Sequence, residues 1–161
     1  MNVRIEEKEG FEVFGVEKPA GDEPSYRDFW TQVYQSGLYQ KLYFDAGGFG
    51  EPDVKLPGMG VVNAMGNFDV IGDYMIFAFV REDSRTDGYK TVQIPKSTWA
   101  IFRGRPTKRP GRRITGLFHR AYKKWLPKSG YIRAPGPDME LYYVTEGGKH
   151  CDEVRVPVAK A

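Results

Sequence analysis

The chain has 161 residues, which suits one domain with a buried core, and we predict a single domain over residues 1–161. One cysteine, Cys151, and two histidines exclude an internal disulfide and a thiolate cluster, so we expect no metal, no cofactor and a reducing, cytoplasmic location. The formal net charge is +3, but the charges are distributed unevenly along the chain. The sequence shows neither a signal pattern nor a long apolar run, so we expect neither secretion nor contact with a membrane.

The first half of the chain predicts a strand, a helix and two further strands. Residues 11–17 predict a strand, and residues 3–5 are expected to pair ahead of it. A helix is expected over residues 24–36, where apolar side chains recur with the spacing of one buried stripe. The stripe consists of Tyr26, Phe29, Trp30, Val33 and Tyr34.

A long connection without a settled period is expected over residues 38–58. It contains Gly47-Gly48-Phe49-Gly50, but a phosphate-binding glycine loop must leave a strand and open a helix. Pro52 and Pro57 follow with no helical stripe, so we reject a nucleotide site there. Two strands are then expected at 60–67 and 74–80, and a polar linker at 81–88.

The second half repeats this order. Residues 89–95 lead into a strand at 98–102, Pro110 and Gly111 open a helix, and two strands follow at 139–144 and 153–158. The stripe of this helix consists of Ile114, Leu117, Phe118, Ala121, Tyr122 and Trp125.

The two halves are in register when the first is shifted by 88 residues. Phe11 then falls on Trp99, Trp30 on Phe118 and Tyr34 on Tyr122. We therefore predict a duplication, with repeats at about 1–83 and 89–161. The expected fold is α+β: two βαββ units form a curved antiparallel sheet with two helices on one side and a central ligand groove.

In the second repeat, Glu140 places one carboxylate in the middle of a largely apolar strand. A turn at Gly136-Pro137 runs into residues 138–144, where alternation places Glu140 on one face with Asp138 and Tyr142. Both faces are largely apolar, and burying an unpaired carboxylate costs several kcal/mol. The Glu140 carboxylate is therefore paired with a protein cation, neutral, or available to bind a ligand. Arg103 and Arg155 are the candidate cations.

The uneven distribution of charge along the chain has two interpretations. Residues 1–53 carry eleven acidic and five basic side chains, whereas residues 103–128 carry ten basic ones and no acid. A phosphate-binding surface is one interpretation, and the solvated side of an amphipathic helix is the other. No nucleic-acid reading module accompanies the charge, so we do not expect nucleic acid as a partner; a protein partner remains an alternative.

Four motifs in order resemble a known family, the GyrI-like small-molecule-binding domains, which also serve as effector domains of AraC-type and multidrug-sensing regulators. They are Trp99-Ala100-Ile101-Phe102-Arg103-Gly104, Trp125-Leu126-Pro127-Lys128-Ser129-Gly130-Tyr131, Pro137-Asp138-Met139-Glu140-Leu141-Tyr142 and Glu153-Val154-Arg155-Val156-Pro157-Val158. The resemblance is most specific over residues 91–158, and the length is that of one stand-alone copy.

The resemblance implies a duplicated βαββ fold whose groove takes hydrophobic, often cationic or planar aromatic molecules, with Glu140 as partner of the cation. It also implies two alternatives, because some stand-alone members hydrolyse cyclopropane-bearing genotoxins and another protects against gyrase poisons. The glycine-rich 38–58 segment and the basic 103–113 loop depart from the family.

The favoured function is therefore a small-molecule binder in drug or toxin sensing or sequestration. The alternatives are a hydrolase with Glu140 as general base and a protein- or DNA-interaction module. The candidate ligand-binding residues are Glu140, Tyr142, Trp99, Trp30, Tyr34 and Tyr122. Core packing is the competing interpretation for the tryptophans and the two helical tyrosines, Asp138 is expected to be solvated, and His150 and Cys151 are expected in a turn.

Overall fold

A computed structural model of the chain describes residues 3–47, 58–63 and 68–161, without the side chains of residues 58 and 59. In these residues nine strands form one strongly curled antiparallel sheet, and the helices pack on one of its faces. The strands are β1 Val3–Lys8, β2 Phe11–Glu17, β3 Gly58–Asn63, β4 Tyr74–Phe79, β5 Lys90–Ile94, β6 Ser97–Arg103, β7 Tyr131–Arg133, β8 Asp138–Val144 and β9 His150–Lys160.

The helical segments lie between the strands of each half. They are α1 Tyr26–Gln35, α2 Leu38–Asp45 and α3 Ile114–His119, the last of which continues into a π-helical turn, Arg120–Trp125, and a 3₁₀ turn, Leu126–Lys128. None of the described helices is long and apolar enough to cross a membrane.

The order of strands is symmetrical about the pairing of β3 with β8. It is β1-β6-β9-β8-β3-β4-β2-β5, with β7 paired to β9. One side contains β2, α1, α2, β3 and β4, and the other contains β6, α3, β8 and β9. The predicted α+β fold of two βαββ units on a curved antiparallel sheet is confirmed.

The two units exchange their outer strands. β1 precedes β2 along the chain but pairs with β6, and β5 precedes β6 but pairs with β2. The expectation that residues 3–5 pair ahead of residues 11–17 is therefore wrong. The β1–β6 and β2–β5 pairs share one antiparallel register, since Lys8 lies opposite Ser97 and Phe11 lies opposite Ile94. The two pairs therefore form one long, bent two-stranded ribbon that links the two ends of the sheet.

The helix predicted over residues 24–36 is α1. It starts at the Ser25 N-cap, whose hydroxyl accepts a hydrogen bond from the Asp28 N–H at 3.1 Å, and it stops before Gly37, which has a φ of 79°. Its side chains Phe29 and Val33 are buried against the sheet.

Helix α2 occupies a segment that the sequence predicted to be a connection. It is short, and Leu42 is fully buried in the core that α1 shares with the sheet. Residues 48–57 of the expected connection, including the last three residues of the Gly47-Gly48-Phe49-Gly50 motif, lie outside the described residues, as do residues 64–67 of the predicted strand.

The last hairpin also differs from the prediction. β9 begins at His150, so His150 and Cys151 lie in a strand rather than in a turn. Asp138 is fully buried at the first residue of β8, and the expectation of a solvated carboxylate is wrong.

Both faces of the sheet are packed. The face turned away from the helices holds one large core, which includes Phe77, Trp99, Leu141 and Tyr143. The face toward the helices carries two smaller cores, one under α1 and α2 and one under α3. The gap between these two cores lies over β3 and β8.

The curl of the sheet brings β2 and β4 unusually close at Gly15. A Cβ there would lie 1.9 Å from the Ile76 carbonyl oxygen, so only glycine fits without moving the backbone. Gly116 in α3 is the matched contrast, because a Cβ there meets nothing within 4 Å.

We expect Gly15→Ala to lower the free energy of unfolding by at least about 3 kcal/mol, since the clash is with backbone. Gly116→Ala should be neutral or stabilise by up to about 1 kcal/mol, because alanine is the better helix former. Urea denaturation followed by circular dichroism measures both; equal stability of the two variants would contradict the close approach.

Candidate functional site

The groove between the two helical layers is the candidate site. Its floor is the β3–β8 junction, where Val61 lies opposite Glu140 and Asn63 opposite Asp138. One wall comes from α1 and the other from α3 and its π-helical turn. The site therefore lies where the two units of the fold meet.

Glu140 lies on this floor because strand alternation turns it toward the helices. The residue is 7 % exposed and lines the groove, and its carboxylate accepts a hydrogen bond from the Tyr142 hydroxyl on the same strand. Burial raises the pKa of the Glu140 carboxyl to about 7, and the negative charge of Asp138 acts in the same direction. Hydrogen bonds from Tyr142 and Asn63 oppose this shift and are too weak to cancel it.

Nearby arginines are engaged elsewhere. Arg103 and Arg155 were the candidate ion-pair partners of Glu140. Both pair instead with the fully buried Glu153 on the opposite face of the sheet, at 2.9 and 2.8 Å. Arg133 pairs with Asp138 at 2.7 Å. Within residues 3–47, 58–63 and 68–161, no lysine or arginine forms an ion pair with Glu140.

The other carboxylate that lines the larger part of the groove, Asp73, is neutralised by a buried lysine. The Lys18 ammonium lies 3.4 Å from the Asp73 carboxylate and donates to the carbonyl oxygens of Pro19 and Gly21. The Tyr26 hydroxyl donates to the same carboxylate at 2.9 Å. Of the two carboxylates that line the larger part of the groove, Glu140 is the one that forms no ion pair among the described residues, although Lys123 lines the same cavity.

A partly buried triad of Tyr122, Asp138 and Arg133 fixes one wall of the groove. The Tyr122 hydroxyl donates to Asp138 at 2.6 Å, and the Arg133 guanidinium donates to both of them. Burial raises the pKa of Asp138, while Tyr122 and Arg133 lower it. Because both of its oxygens are occupied, Asp138 holds the Tyr122 ring in place instead of presenting charge to the groove.

The groove has two parts, which share no lining residue. The larger, around Glu140, has a volume of about 1080 Å³, and the smaller, around Tyr142, about 410 Å³. The larger part is lined mainly by aromatic and polar side chains, with Ile114 as the aliphatic one: Tyr26, Asn63, Asp73, Tyr74, Thr115, Phe118, His119, Tyr122 and Lys123. The smaller is lined by Trp30, Tyr34, Tyr39, Pro110, Val144 and His150.

Aromatic contacts connect the two parts. The Trp30 ring meets the Tyr142 ring edge to face at 6.0 Å and stacks on Tyr34 at 5.8 Å. The Trp30 indole N–H donates to the Tyr74 hydroxyl at 2.7 Å, so Trp30 is held between the smaller cavity and a residue of the larger one.

The structure brings five of the six predicted residues together. Glu140 and Tyr122 line the larger part of the groove, and Tyr142, Trp30 and Tyr34 line the smaller part. Trp99 is not with them, because it is fully buried in the core on the opposite face of the sheet.

Several groove residues were missed by the sequence analysis. Tyr26 and Phe118 were assigned to buried stripes, but Tyr26 is 51 % exposed and both line the groove. A signal existed, because a stripe built from tyrosine and tryptophan instead of leucine leaves polar atoms that need partners or solvent. Asn63, a polar side chain in an apolar strand, carried a similar signal.

No group of three or more His, Cys, Asp or Glu side chains is placed to hold a metal ion in the described part of the chain. The groove presents the buried Glu140 carboxylate, several phenol hydroxyls and aromatic rings, and its lining also includes His119, Lys123 and His150.

A family model described as Cass2, integron-associated effector binding protein, matches residues 4–158. No curated protein sequence matches the chain. The family match covers the strands and helices that build the groove.

Solved structures share the fold at low sequence identity. SAV2435, solved bound to tetraphenylphosphonium, has a TM-score of 0.72 and 16% identity and covers 99% of this chain and 94% of its own. An integron cassette protein from the mobile metagenome of Vibrio cholerae has a TM-score of 0.55 and 16% identity, over 98% and 95%. A hydrolase from Listeria innocua has a TM-score of 0.54 and 14% identity, over 98% and 91%.

The raised pKa of Glu140 has a consequence for stability. Since the folded state binds this proton more tightly than the unfolded state, stability falls as the pH rises from about the ordinary glutamate value to about 7. Glu140→Gln removes the ionisable group while keeping an acceptor for the Tyr142 hydroxyl.

We expect Glu140→Gln to raise the free energy of unfolding at pH 8 by on the order of 3 kcal/mol and to change it little at pH 5. Urea denaturation of both proteins at the two pH values measures the difference. A variant that is less stable than the parent at pH 8 would show that the ionised carboxylate is stabilised within the fold, which contradicts a pKa raised by burial.

Proposed function

The chain belongs to the Cass2 family of integron-associated effector binding proteins, and we propose that its groove binds hydrophobic cations and planar aromatic molecules, with Glu140 as the electrostatic anchor. The observation that carries the proposal is the buried carboxylate of Glu140, which faces an aromatic cavity with no cation paired to it among the described residues. The biological role would be the sensing or sequestration of drugs or toxins.

Burial explains why a cation is preferred. The ionised form of Glu140 is disfavoured in the groove because it has lost water, so a positively charged ligand relieves that cost by pairing with it. The neighbouring acids give no competition, since Arg133 neutralises Asp138 and Lys18 neutralises Asp73. The attraction is therefore concentrated at one carboxylate.

The aromatic walls explain why the ligand is hydrophobic. Rings of Tyr26, Tyr74, Phe118 and Tyr122 surround the larger cavity. A ring face contributes about 0.5–2 kcal/mol to binding a delocalised cation, and it tolerates varied ligand shapes. A volume of about 1080 Å³ suits a drug-sized molecule.

The comparisons support this proposal. SAV2435, whose fold this chain shares, was solved bound to tetraphenylphosphonium, a large aromatic cation. That compound is a suitable probe here, because it combines one positive charge with four rings.

We expect tetraphenylphosphonium to bind the parent protein and to change the emission of Trp30. At pH 8, Glu140→Gln should weaken binding at least about tenfold, which corresponds to about 1.4 kcal/mol. Parent affinity should rise with pH from 6 to 8, because the cation prefers the ionised carboxylate, whereas the affinity of Glu140→Gln should not depend on pH. Fluorescence titration at several pH values measures this.

Two controls make the measurement specific. Glu146→Gln removes an exposed carboxylate outside the groove and should bind like the parent. Triphenylphosphine oxide, an uncharged relative of the probe, should not distinguish Glu140→Gln from the parent. Equal affinity of the parent and Glu140→Gln for tetraphenylphosphonium would remove Glu140 as anchor.

A second candidate function rests on the pKa of Glu140. A carboxyl with a pKa of about 7 is suited to act as a general base near neutral pH. The fold is also that of a hydrolase from Listeria innocua. In this proposal Glu140 takes a proton from water, which attacks a strained or electrophilic substrate held by the aromatic walls.

If the chain is a hydrolase of cyclopropane-bearing or other electrophilic compounds, its rate should rise with pH to a plateau above about 7 and be lost in Glu140→Gln. A fall of about a hundredfold or more is expected for removal of a general base. Product formation followed by mass spectrometry measures it, with Glu146→Gln as control. Undiminished turnover in Glu140→Gln would exclude Glu140 as the base.

A further inference from the structure

We propose that the chain has a second binding site, an arginine pocket behind α3, that takes compact anions carrying several phosphate groups. The arginine pocket has a volume of about 830 Å³ and is lined by six arginines: Arg4, Arg103, Arg105, Arg112, Arg113 and Arg120. It is separate from the groove, since no residue lines both.

The arginines are brought together by the fold. Arg4 is on β1, Arg103 ends β6, Arg105 lies on the loop before α3, and Arg120 begins the π-helical turn after it. The exchange of β1 onto β6 is what places Arg4 beside Arg103. The pocket is therefore a tertiary feature and not only one face of a charged segment.

The positive charge of the pocket is only partly compensated. The buried Glu153 carboxylate pairs with Arg4 at 3.3 Å and Arg103 at 2.9 Å, and it is shared with Arg155 on the other side. In the described part of the chain, Arg105, Arg112 and Arg120 have exposed side chains and form no ion pair. Like charges crowded round one cavity repel one another, and a multivalent anion would offset that repulsion.

The loop that carries the pocket is anchored at both ends to β9. Asp152, which is 1 % exposed, accepts hydrogen bonds from the backbone N–H groups of Gly111 at 3.0 Å and Arg113 at 2.8 Å. Thr107 and His150 exchange two backbone hydrogen bonds of 2.7 Å. Because the loop is already fixed, less conformational entropy is lost when a ligand binds there.

The shape of the site indicates the ligand class. Guanidinium groups bind phosphate oxygens in pairs of parallel hydrogen bonds, so six of them round one cavity suit several phosphate groups held close together. A duplex nucleic acid would instead need cations spread along its backbone. The cavity is concave and of small-molecule size, which favours a compact ligand such as an oligophosphate or a nucleoside polyphosphate.

The test uses inorganic tripolyphosphate and isothermal titration calorimetry at low salt. We expect it to bind the parent, and the triple variant Arg105→Gln, Arg112→Gln, Arg120→Gln to bind at least about tenfold more weakly, because charge-assisted hydrogen bonds to phosphate are lost. All three side chains are exposed, so the variant should fold, and near-ultraviolet circular dichroism checks that it does.

The matched control is Lys124→Gln, Lys128→Gln, Lys149→Gln, which removes the same charge from exposed positions outside the arginine pocket. It should bind tripolyphosphate within about threefold of the parent. The titration is repeated with ATP, which should compete for the same site.

Three results would overturn the proposal. The first is no tripolyphosphate binding to the parent at millimolar concentration. The second is an equal loss of affinity in the arginine and lysine variants, which would indicate general charge attraction. The third is tighter binding of short duplex DNA than of tripolyphosphate, lost in the arginine variant, which would make the surface a nucleic-acid site. Tetraphenylphosphonium binding, measured alongside, reports on the groove independently.

Discussion

The pairing of β3 with β8 is the constraint on which the rest of the structure depends. It joins the two βαββ units edge to edge, and it sets the two helical layers apart above the seam. The close packing of Gly60 against Phe77 and Leu141 shows how tightly the strands meet there, since a Cβ would lie 2.4 Å from the Phe77 ring. A groove at such a junction is a consequence of duplication, because neither unit alone has a second helical wall.

Among the described residues near the groove, the acidic side chains other than Glu140 already have partners. Asp138 and Asp73 each have a cation, and Asp152 is occupied by backbone N–H groups of the loop before α3. Among the described residues, Glu140 accepts hydrogen bonds only from neutral groups, and burial raises its pKa to about 7. Such a group gains from a cation and can also accept a proton from water, so the same physical property underlies both functional proposals.

The same fold occurs in proteins with different descriptions. At 14–16% identity, the shared architecture includes a protein solved with an aromatic cation and one described as a hydrolase. A fold of this kind hosts different chemistry through the side chains of its groove. The family to which this chain belongs is described as effector binding proteins, and the aromatic side chains that line the groove agree with the binding of a small molecule.

The sequence by itself determined the duplicated α+β architecture and the family, because these follow from periodicity and ordered motifs, and it singled out Glu140 as a candidate because one charge lies in an apolar strand. It also brought Tyr142, Trp30, Tyr34 and Tyr122 into consideration. Only the tertiary structure decided that Trp99 lies in the opposite core, that Asp138 is buried with Arg133, and that β1 crosses to β6 to complete the arginine pocket. The reason is physical: periodicity fixes which face of an element a side chain occupies, whereas partners and cavities depend on long-range pairing that no local pattern encodes.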